Sequence, residues 1–462
     1  MPFQPVILWT DALIYLLIVL VLLSVWYTRR HEHLLMPWRR VASSKTGQAA
    51  MVVLAFYLGI GLLDTAHYNP QTSSDEQGEP IYSTEVLSLF DALVEDLRTQ
   101  QEKTYSAPFA IHLFSKESID LPDGSTVRDY PRLLYGGAHL PSGGAGKATD
   151  IALKAGYGAI KGAMVWLAFI LLLCRFDLAR VARLMQGRLA QPWHVGAATA
   201  LALTVLLAVA FELSAYYHIL GTDKVGEDVF YQSLKSIRTG LVIGTLTTLV
   251  MLPLAVLLGI MAGYFRGWVD DVIQYLYTTL NSIPGVLLIA AAVLMMQIYM
   301  TNHADDFNSV TERADLRLLF LCLILGVTSW TGLCRLLRGE ALKLRELEYV
   351  QASRAFGVGN FTILLRHVLP NVMHIVLITI VLDFSGLVLA EAVLSYINIG
   401  VDPATNSWGN MINGARLELA REPVVWWSLL AAFGFMFTLV LAANLFSDVV
   451  RDAFDPRLRQ QR

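Results

Sequence analysis

Nine apolar runs, each about as long as a bilayer core is thick, decide what this chain can fold into. They fall at roughly 7–27, 47–64, 157–174, 195–216, 239–263, 272–299, 316–334, 371–396 and 427–449. Inside a bilayer no water bonds to the backbone, so each run has to satisfy its own N–H and C=O groups as a helix. With 55% of its 462 residues hydrophobic and 16% charged, the chain is expected to be an all-α polytopic membrane protein in a lipid membrane. No nucleic-acid partner is expected. Cys174, Cys322 and Cys334 lie in or at the ends of apolar runs, and neither a disulfide framework nor a metal site follows from them.

Net charge of −3 says little about orientation, because topology follows the placement of Lys and Arg. Arg29, Arg30, Arg39, Arg40 and Lys45 follow the first run, and Arg175, Arg180, Arg183 and Arg188 follow the third. Arg266 sits in the short turn after the fifth. Arg335, Arg338, Lys343, Arg345, Arg354 and Arg366 follow the seventh, and Arg451, Arg457, Arg459 and Arg462 end the chain. These basic segments alternate with the spans, which predicts the N-terminus outside and the C-terminus in the cytoplasm. The first run lacks a basic stretch before it and carries its arginines after it, so it is read as a retained helix.

Residues 65–156 then fall outside as a small extracytoplasmic domain. Thr84 to Gln101 is read as an amphipathic helix with Val86, Phe90, Leu93 and Leu97 on one face, and the Gly-, Pro- and Asp-rich remainder as loop. Ser142 to Thr149 looks like a phosphate-binding loop, but Pro141 stands where the first glycine belongs and Ala148 where Ser or Thr must follow the lysine. It is rejected, and no other nucleotide-binding motif is found in the sequence.

The stretch from Tyr349 to Asn371 is polar, basic and interrupted, although apolar runs flank it. Tyr349, Ala352, Ser353 and Phe356 recur at one helical face, which can lie close against a partner's groove. Gly357 is predicted to end that helix in the left-handed conformation. Asn360 is read as the N-cap of a second short helix carrying Phe361, Leu364, Leu365 and Val368, which Pro370 closes. The short faces at Tyr349 and Phe361 are expected to be buried and to transmit coupling.

Gln351-Ala352-Ser353, then Gly357, then His367-Val368-Leu369-Pro370 resembles the cytoplasmic loop of permeases from binding-protein-dependent ABC importers, with Gln for the usual Glu and His for Ile. Around it, Leu220 to Phe230, Ala262 to Asp270, Ser282-Ile283-Pro284, Glu391 to Tyr396 with Gly400, Pro403, Trp408 and Gly409, and Asp452 to Arg457 resemble, in order, elements of the oligopeptide, dipeptide and nickel subfamily. The resemblance covers about 195–462. It implies a six-helix permease core there, preceded by an extension over 1–194 with three helices, and a coupling loop at 340–370 that docks on an ATPase. It also implies a second homologous permease subunit, two ABC ATPase subunits that hold ATP and Mg, an extracytoplasmic solute-binding protein, a bacterial inner membrane, and a chain that binds no cofactor and is not itself an enzyme. Three added spans invert the N-terminus relative to a core that starts inside, in agreement with the arginines.

A charge at the centre of a span costs about 2.5–3.5 kcal/mol on insertion scales. Asp383 and Glu391 stand eight residues apart on the eighth run, close to one face. One reading has them, with the kink at Pro284, lining a translocation path and meeting the amino group of a peptide. In the other, Asp383 is paired within the bundle and Glu391 lies near the outer interface. Glu212 is expected in a solvated interfacial position and Lys161 snorkelling outward. His31 and His33 are read as members of a basic loop, His367 as a bystander on the polar face of its helix, and Pro253 as a kink. Two rival functions remain open: an ion-coupled secondary transporter using Asp383 and Glu391, and a membrane-anchored sensor or assembly protein acting through 65–156.

Overall fold

The computed structural model describes residues 3–74, 80–120, 126–141, 144–187, 191–303 and 309–454. In chain order they form β1 (Phe3–Val6), α1 (Trp9–Arg30), α2 (Glu32–Ser43), α3 (Lys45–Asp64), β2 (His67–Ser74), β3 (Pro80–Tyr82), β4 (Leu87–Ser88), α4 (Leu89–Leu93), α5 (Glu95–Thr99), β5 (Glu117–Asp120) and β6 (Thr126–Asp129). There follow α6 (Lys147–Leu173), α7 (Leu178–Met185), α8 (Trp193–Ser214), α9 (Val229–Phe265), α10 (Trp268–Ser282), α11 (Gly285–Asn302), α12 (Val310–Ser329) and α13 (Thr331–Arg345). The chain ends with α14 (Glu348–Ala355), α15 (Asn360–Ile363), a π-turn at Leu364–Val368, α16 (Leu369–Tyr396), α17 (Trp408–Glu418) and α18 (Trp427–Phe454). Among the described residues, nine helices are long and apolar enough to cross a membrane, and each overlaps one of the nine apolar runs, the sixth only from Gly285 onward. Arg188, Ser142, Gly143, and the tail with Asp455, Pro456, Arg457, Arg459 and Arg462 lie outside the described residues.

The sixth run is broken rather than kinked. Pro284 has no N–H and holds Ile283 extended at φ −90°, ψ 131°, so α10 stops at Ser282 and α11 begins afresh. Pro253, by contrast, sits within the continuous α9.

The chain divides into two compact units. One comprises Met1–Val6, Arg39–Thr239 and Asn406–Leu445, and the other Ile7–Trp38, Gly240–Thr405 and Phe446–Arg462. In the first, α6 lies directly on α8: a Cβ at Gly162 would stand 2.8 Å from the Val205 Cα and the Thr204 carbonyl, a distance only glycine permits. Lys161 and Glu212 form a 2.7 Å ion pair across that contact, which corrects the separate surface roles expected of them. Close approach of the two helices brings the side chains within reach, with Lys161 still partly exposed.

The segment between α3 and α6 is not the single helix and loop expected. Ser88 opens a new helix by accepting from Asp91 N at 3.1 Å while Asp91 Oδ2 accepts from Ser88 N at 2.9 Å, so Leu87–Ser88 stays extended as β4. Val94, at φ −119°, ψ 33°, separates α4 from α5. Phe90, Val94 and Leu97 are buried, and Leu93 points to solvent. β1 pairs antiparallel with β2, Val6 opposite His67, and β3 and β4 pair with β2 as well. β5 and β6 form a hairpin within the stretch read as loop.

Two buried polar clusters fasten this segment to the helices of its unit. Lys235 Nζ, on α9, reaches Asp64 Oδ1 at 2.7 Å, Asp91 Oδ2 at 2.5 Å and Ser88 Oγ at 3.2 Å. His218 Nδ1 lies 2.7 Å from Asp228 Oδ2, and its Nε2 3.5 Å from Glu102 Oε1. Burial works against a charge on His218, but the carboxylates of Asp228 and Glu102 outweigh it and raise its pKa to about 9. Glu102 also accepts from the N–H groups of Leu134, Tyr135 and Gly136 at 2.8–3.1 Å. Against the cost of burial, these donors and His218 keep its carboxyl below the usual glutamate range. The Leu220 to Phe230 turn packs into the same place. Gly226, at φ 83°, lies so close to the Glu102 carbonyl that any Cβ would overlap it, and Trp427 Nε1 donates to the Thr222 carbonyl at 2.9 Å.

In the second unit the start of α1 is held to α12. Thr10 N donates to Asp315 Oδ2 at 3.1 Å and the Thr10 hydroxyl to Asp315 Oδ1, so a carboxylate satisfies donors at the N-terminus of α1. The core gathers α9, α10, α13 and the start of α16 around Leu333, Leu337, Ala341, Val350, Ile363, Val368 and Val372. Arg338 grips Asp270 through Nε at 2.6 Å and Nη2 at 2.7 Å, a bidentate pair that fixes α13 on α10.

Candidate functional site

The interrupted stretch 340–370 grows from the end of α13. Its first helix, α14, ends in a Schellman motif: Gly357 N donates to Arg354 O at 3.0 Å and Val358 N to Ser353 O at 3.1 Å. Gly357 stands at φ 75°, as its position after the helix predicts. Nothing lies within 4 Å of where its Cβ would be, so only the backbone conformation asks for glycine here.

Beyond the turn the structure departs from expectation. Gly359, in extended conformation, precedes α15, and Asn360 is its first residue; the Asn360 Oδ1 accepts from Tyr264 OH at 3.0 Å, which is why it does not cap. Pro370 does not close the helix. The π-turn Leu364–Val368 precedes it, with Leu369 N bonded back to Leu364 O, and its wider ring lets the chain run on into α16 with proline in the first turn.

The buried anchors of the loop are Val350, Ile363 and Val368, which belong to the core of the second unit. The faces at Tyr349 and Phe361 are exposed, not buried as expected. Phe356 is 88% and Phe361 74% exposed, and Leu365 and Gln351 also face solvent. With no Cβ at Gly357, the turn carries two aromatic rings at its tip and its own apolar contacts at its base. Ala352 is exposed and Ser353 half-buried, its hydroxyl donating to the Tyr349 carbonyl at 2.8 Å. Tyr349 OH accepts from Asn371 Nδ2 at 3.1 Å, and the His367 ring lies 5.9 Å from that of Tyr349. Gln351 Nε2 donates to the Glu346 carbonyl at 3.2 Å, and Arg345 Nη1 to the Tyr264 carbonyl at 2.8 Å. The loop is thus fixed at its base to α9, and through Arg338 and Asp270 to α10.

A second feature of the same unit is a cavity of about 480 Å³ between α9, the α12–α13 junction and α16. Asp383 lines it, with Ser329 and Thr379 supplying hydroxyls and Met251, Leu336 and Leu387 apolar wall. Glu391 does not line it. That carboxylate is buried, and Oε1 accepts from the Ser395 hydroxyl at 2.7 Å. Pro284 lies in the exposed break between α10 and α11. Sequence periodicity placed Asp383 and Glu391 on one face, and the structure gives them different surroundings. Missed altogether were Ser329 and Thr379, which look like ordinary hydroxyls in apolar runs, and the ion clusters at Lys235 and His218, whose members are distant in sequence. Among the described residues, no group of three or more His, Cys, Asp or Glu is placed to hold a metal ion.

The nine apolar helices and the likeness to known proteins together define the class, a permease subunit of ABC importers. Residues 255–460 match the family described as the binding-protein-dependent transport system inner membrane component. The chain is 30% identical over 286 residues, 58% of its length and 88% of the relative's, to a glutathione transport system permease protein of Pectobacterium atrosepticum. It is 30% identical over 245 residues, 53% of this chain and 78% of the relative, to an oligopeptide transport system permease protein of Mycobacterium tuberculosis. With a dipeptide transport system permease protein of Bacillus subtilis it shares 28% over 243 residues, 53% and 70% of the two chains. The chain belongs to this family: it is a multi-pass membrane permease subunit of an ABC importer in the peptide and nickel subfamily, and not an enzyme. Members of such importers work in general with a partner permease, ATPases and a binding protein.

Proposed function

We propose that this chain is one of two homologous permease subunits of an ATP-driven importer of di- or oligopeptides, forming half of the translocation path. Its 349–370 loop docks on a separate ATPase subunit, which holds ATP and Mg, and turns ATPase closure into motion of α16. The loop then faces the cytoplasm with the C-terminus. The N-terminus and residues 65–156 lie on the opposite side, where a solute-binding protein delivers cargo. In this arrangement 1–194 is an added region and 195–462 the permease core. Gln351, Ala352, Ser353, Tyr349, Phe356, Gly357, Phe361, Leu365, His367 and Pro370 belong to the docking element, and Asp383, Glu391 and Pro284 to the path or its immediate support.

The observation that carries this reading is the loop's division of labour: exposed Phe356 and Phe361 at the tip, buried Val350, Ile363 and Val368 at the base. Large apolar side chains on an exposed turn fit a groove in a partner, and a base packed into the core makes the loop a lever. Replacing both rings, Phe356→Ser with Phe361→Ser, leaves that base intact. The expected result is that the chain still inserts, while ATPase subunits no longer copurify with it and ATP-dependent peptide uptake is lost. Retention of the ATPases at wild-type stoichiometry with undiminished uptake would overturn the docking role.

A further inference from the structure

We propose that Asp383 is the cation-accepting element of a solute subsite, which gives this chain a charge filter of its own for a protonated amine in transit. The proposal rests on the importer reading above and deepens its path.

Three observations converge on it. First, Asp383 is the one charged residue among those lining the 480 Å³ cavity, whose size falls within the range of pockets that take drug-sized ligands and suits a solute of dipeptide scale. Second, no donor or cation among the described residues pairs with its carboxylate, although the same helix supplies Ser395 to Glu391 two turns further on. A carboxylate at membrane depth is rarely left without a partner. Third, Gly332 and Gly386 line the same cavity, and the position of a Cβ at either has nothing within 4 Å, so neither wall is filled at these two positions. Ser329 and Thr379 add hydroxyls that can bond the remaining N–H groups of an ammonium, and Met251, Leu336 and Leu387 give a low-dielectric wall that strengthens the ion pair.

One carboxylate with two hydroxyls is also the right strength for a carrier. A second carboxylate at the site would hold a cation more tightly, and transport needs binding firm enough to admit and weak enough to let go. Withdrawal of Glu391 into its own bond with Ser395 leaves a single negative charge in the cavity.

The test is uptake into proteoliposomes holding the whole importer, with binding protein, using alanyl-alanine and N-acetyl-alanyl-alanine at saturating concentration. Each variant is scaled to wild type on the same peptide, so the binding protein's own preference cancels. Loss of one charge-assisted hydrogen bond predicts that Asp383→Asn lowers alanyl-alanine uptake roughly tenfold or more, with the acetylated peptide changed less than about twofold. Asp383→Glu should restore the preference. Equal uptake of both peptides by Asp383→Asn and wild type would overturn the subsite. Equal loss for both peptides, with the partner permease no longer copurifying, would overturn it too and assign Asp383 to a contact between subunits. If wild type itself shows no ATP-dependent uptake of either peptide while the chain is inserted and assembled, the importer reading falls and the subsite with it.

Discussion

Gly357 offers a perturbation whose cost can be worked from backbone geometry alone. It sits at φ 75°, and the site of its missing Cβ is open for 4 Å, so a substitution meets no neighbour and pays only for conformation. The left-handed region costs an ordinary L-residue roughly 1–2 kcal/mol, more for a β-branched side chain, while Asn enters it readily. Gly357→Asn should therefore be nearly silent, Gly357→Ala intermediate, and Gly357→Val the most disruptive at about 2 kcal/mol. Relief of that strain would unwind the Schellman turn and reorient Phe356, which follows the last turn of α14. Carrying a two-state transporter from 1:99 to 99:1 takes about 5.5 kcal/mol of differential energy, so losing about 2 of it lowers the switched ratio by more than tenfold. The assay is uptake per ATP hydrolysed in proteoliposomes, with membrane insertion followed in parallel. Val should insert normally yet move at least about tenfold less peptide per ATP, in the order Asn, Ala, Val of increasing loss. Full coupling in Gly357→Val, or equal loss in Asn and Val, would refute the argument, since the first denies the lever and the second denies φ as its cause.

Lys235→Met removes the cation between Asp64 and Asp91 and leaves two buried carboxylates uncompensated, at a cost of about 3–5 kcal/mol. The thermal midpoint should drop sharply and be largely recovered when Asp64→Asn and Asp91→Asn are added; a single variant as stable as wild type would count against the cluster. The His218 contribution has the opposite dependence from that of a paired carboxylate. Its pKa is raised from 6.5 to about 9 on folding, so the stabilisation, about 3 kcal/mol, is complete below pH 6.5 and disappears as pH rises through 9. Thermal unfolding followed from pH 6.5 to 9.5 should show the midpoint of wild type falling and that of His218→Gln nearly flat; parallel curves would exclude the Asp228–His218–Glu102 group as the source.

What the sequence made legible is what short-range rules govern. Twenty apolar residues in a bilayer leave the backbone no alternative to helix, so eight spans stand where hydropathy puts them and the ninth, in the sixth run, stands over the part that follows Pro284. The Gly357 turn is equally local, because two backbone bonds and one left-handed residue define it. Where the reading failed, a longer reach or a finer competition decided the outcome. Thr84 to Gln101 does carry helical periodicity, but Ser88 and Asp91 cap each other and the stretch before them is taken up by β2, whose partners include Phe3–Val6 on the far side of three helices. No window of the sequence contains that pairing. Lys235 meets Asp64 across 171 residues and Asp91 across 144, separations at which charge patterning has no voice.

The pair Asp383 and Glu391 shows how much a correct periodicity leaves open. Eight residues return a helix to the same face, yet they also advance it by about 12 Å, which takes one side chain from an open cavity into a packed layer. Angle was legible and depth was not. Spacing alone does not separate them, since Ser395 stands at i+4 from Glu391 and Thr379 at i−4 from Asp383; only the structure shows that the Ser395 hydroxyl bonds Glu391. A membrane helix that provides for one of its two acids and leaves the other facing space has separated a structural charge from an available one. The same separation recurs in the loop, where Val350, Ile363 and Val368 are committed to the core and Phe356 and Phe361 are left for another surface. In both places the candidate for function is the expensive side chain that has no partner among the described residues, and in both the residues that look equivalent by period are told apart by what the chain has placed against them.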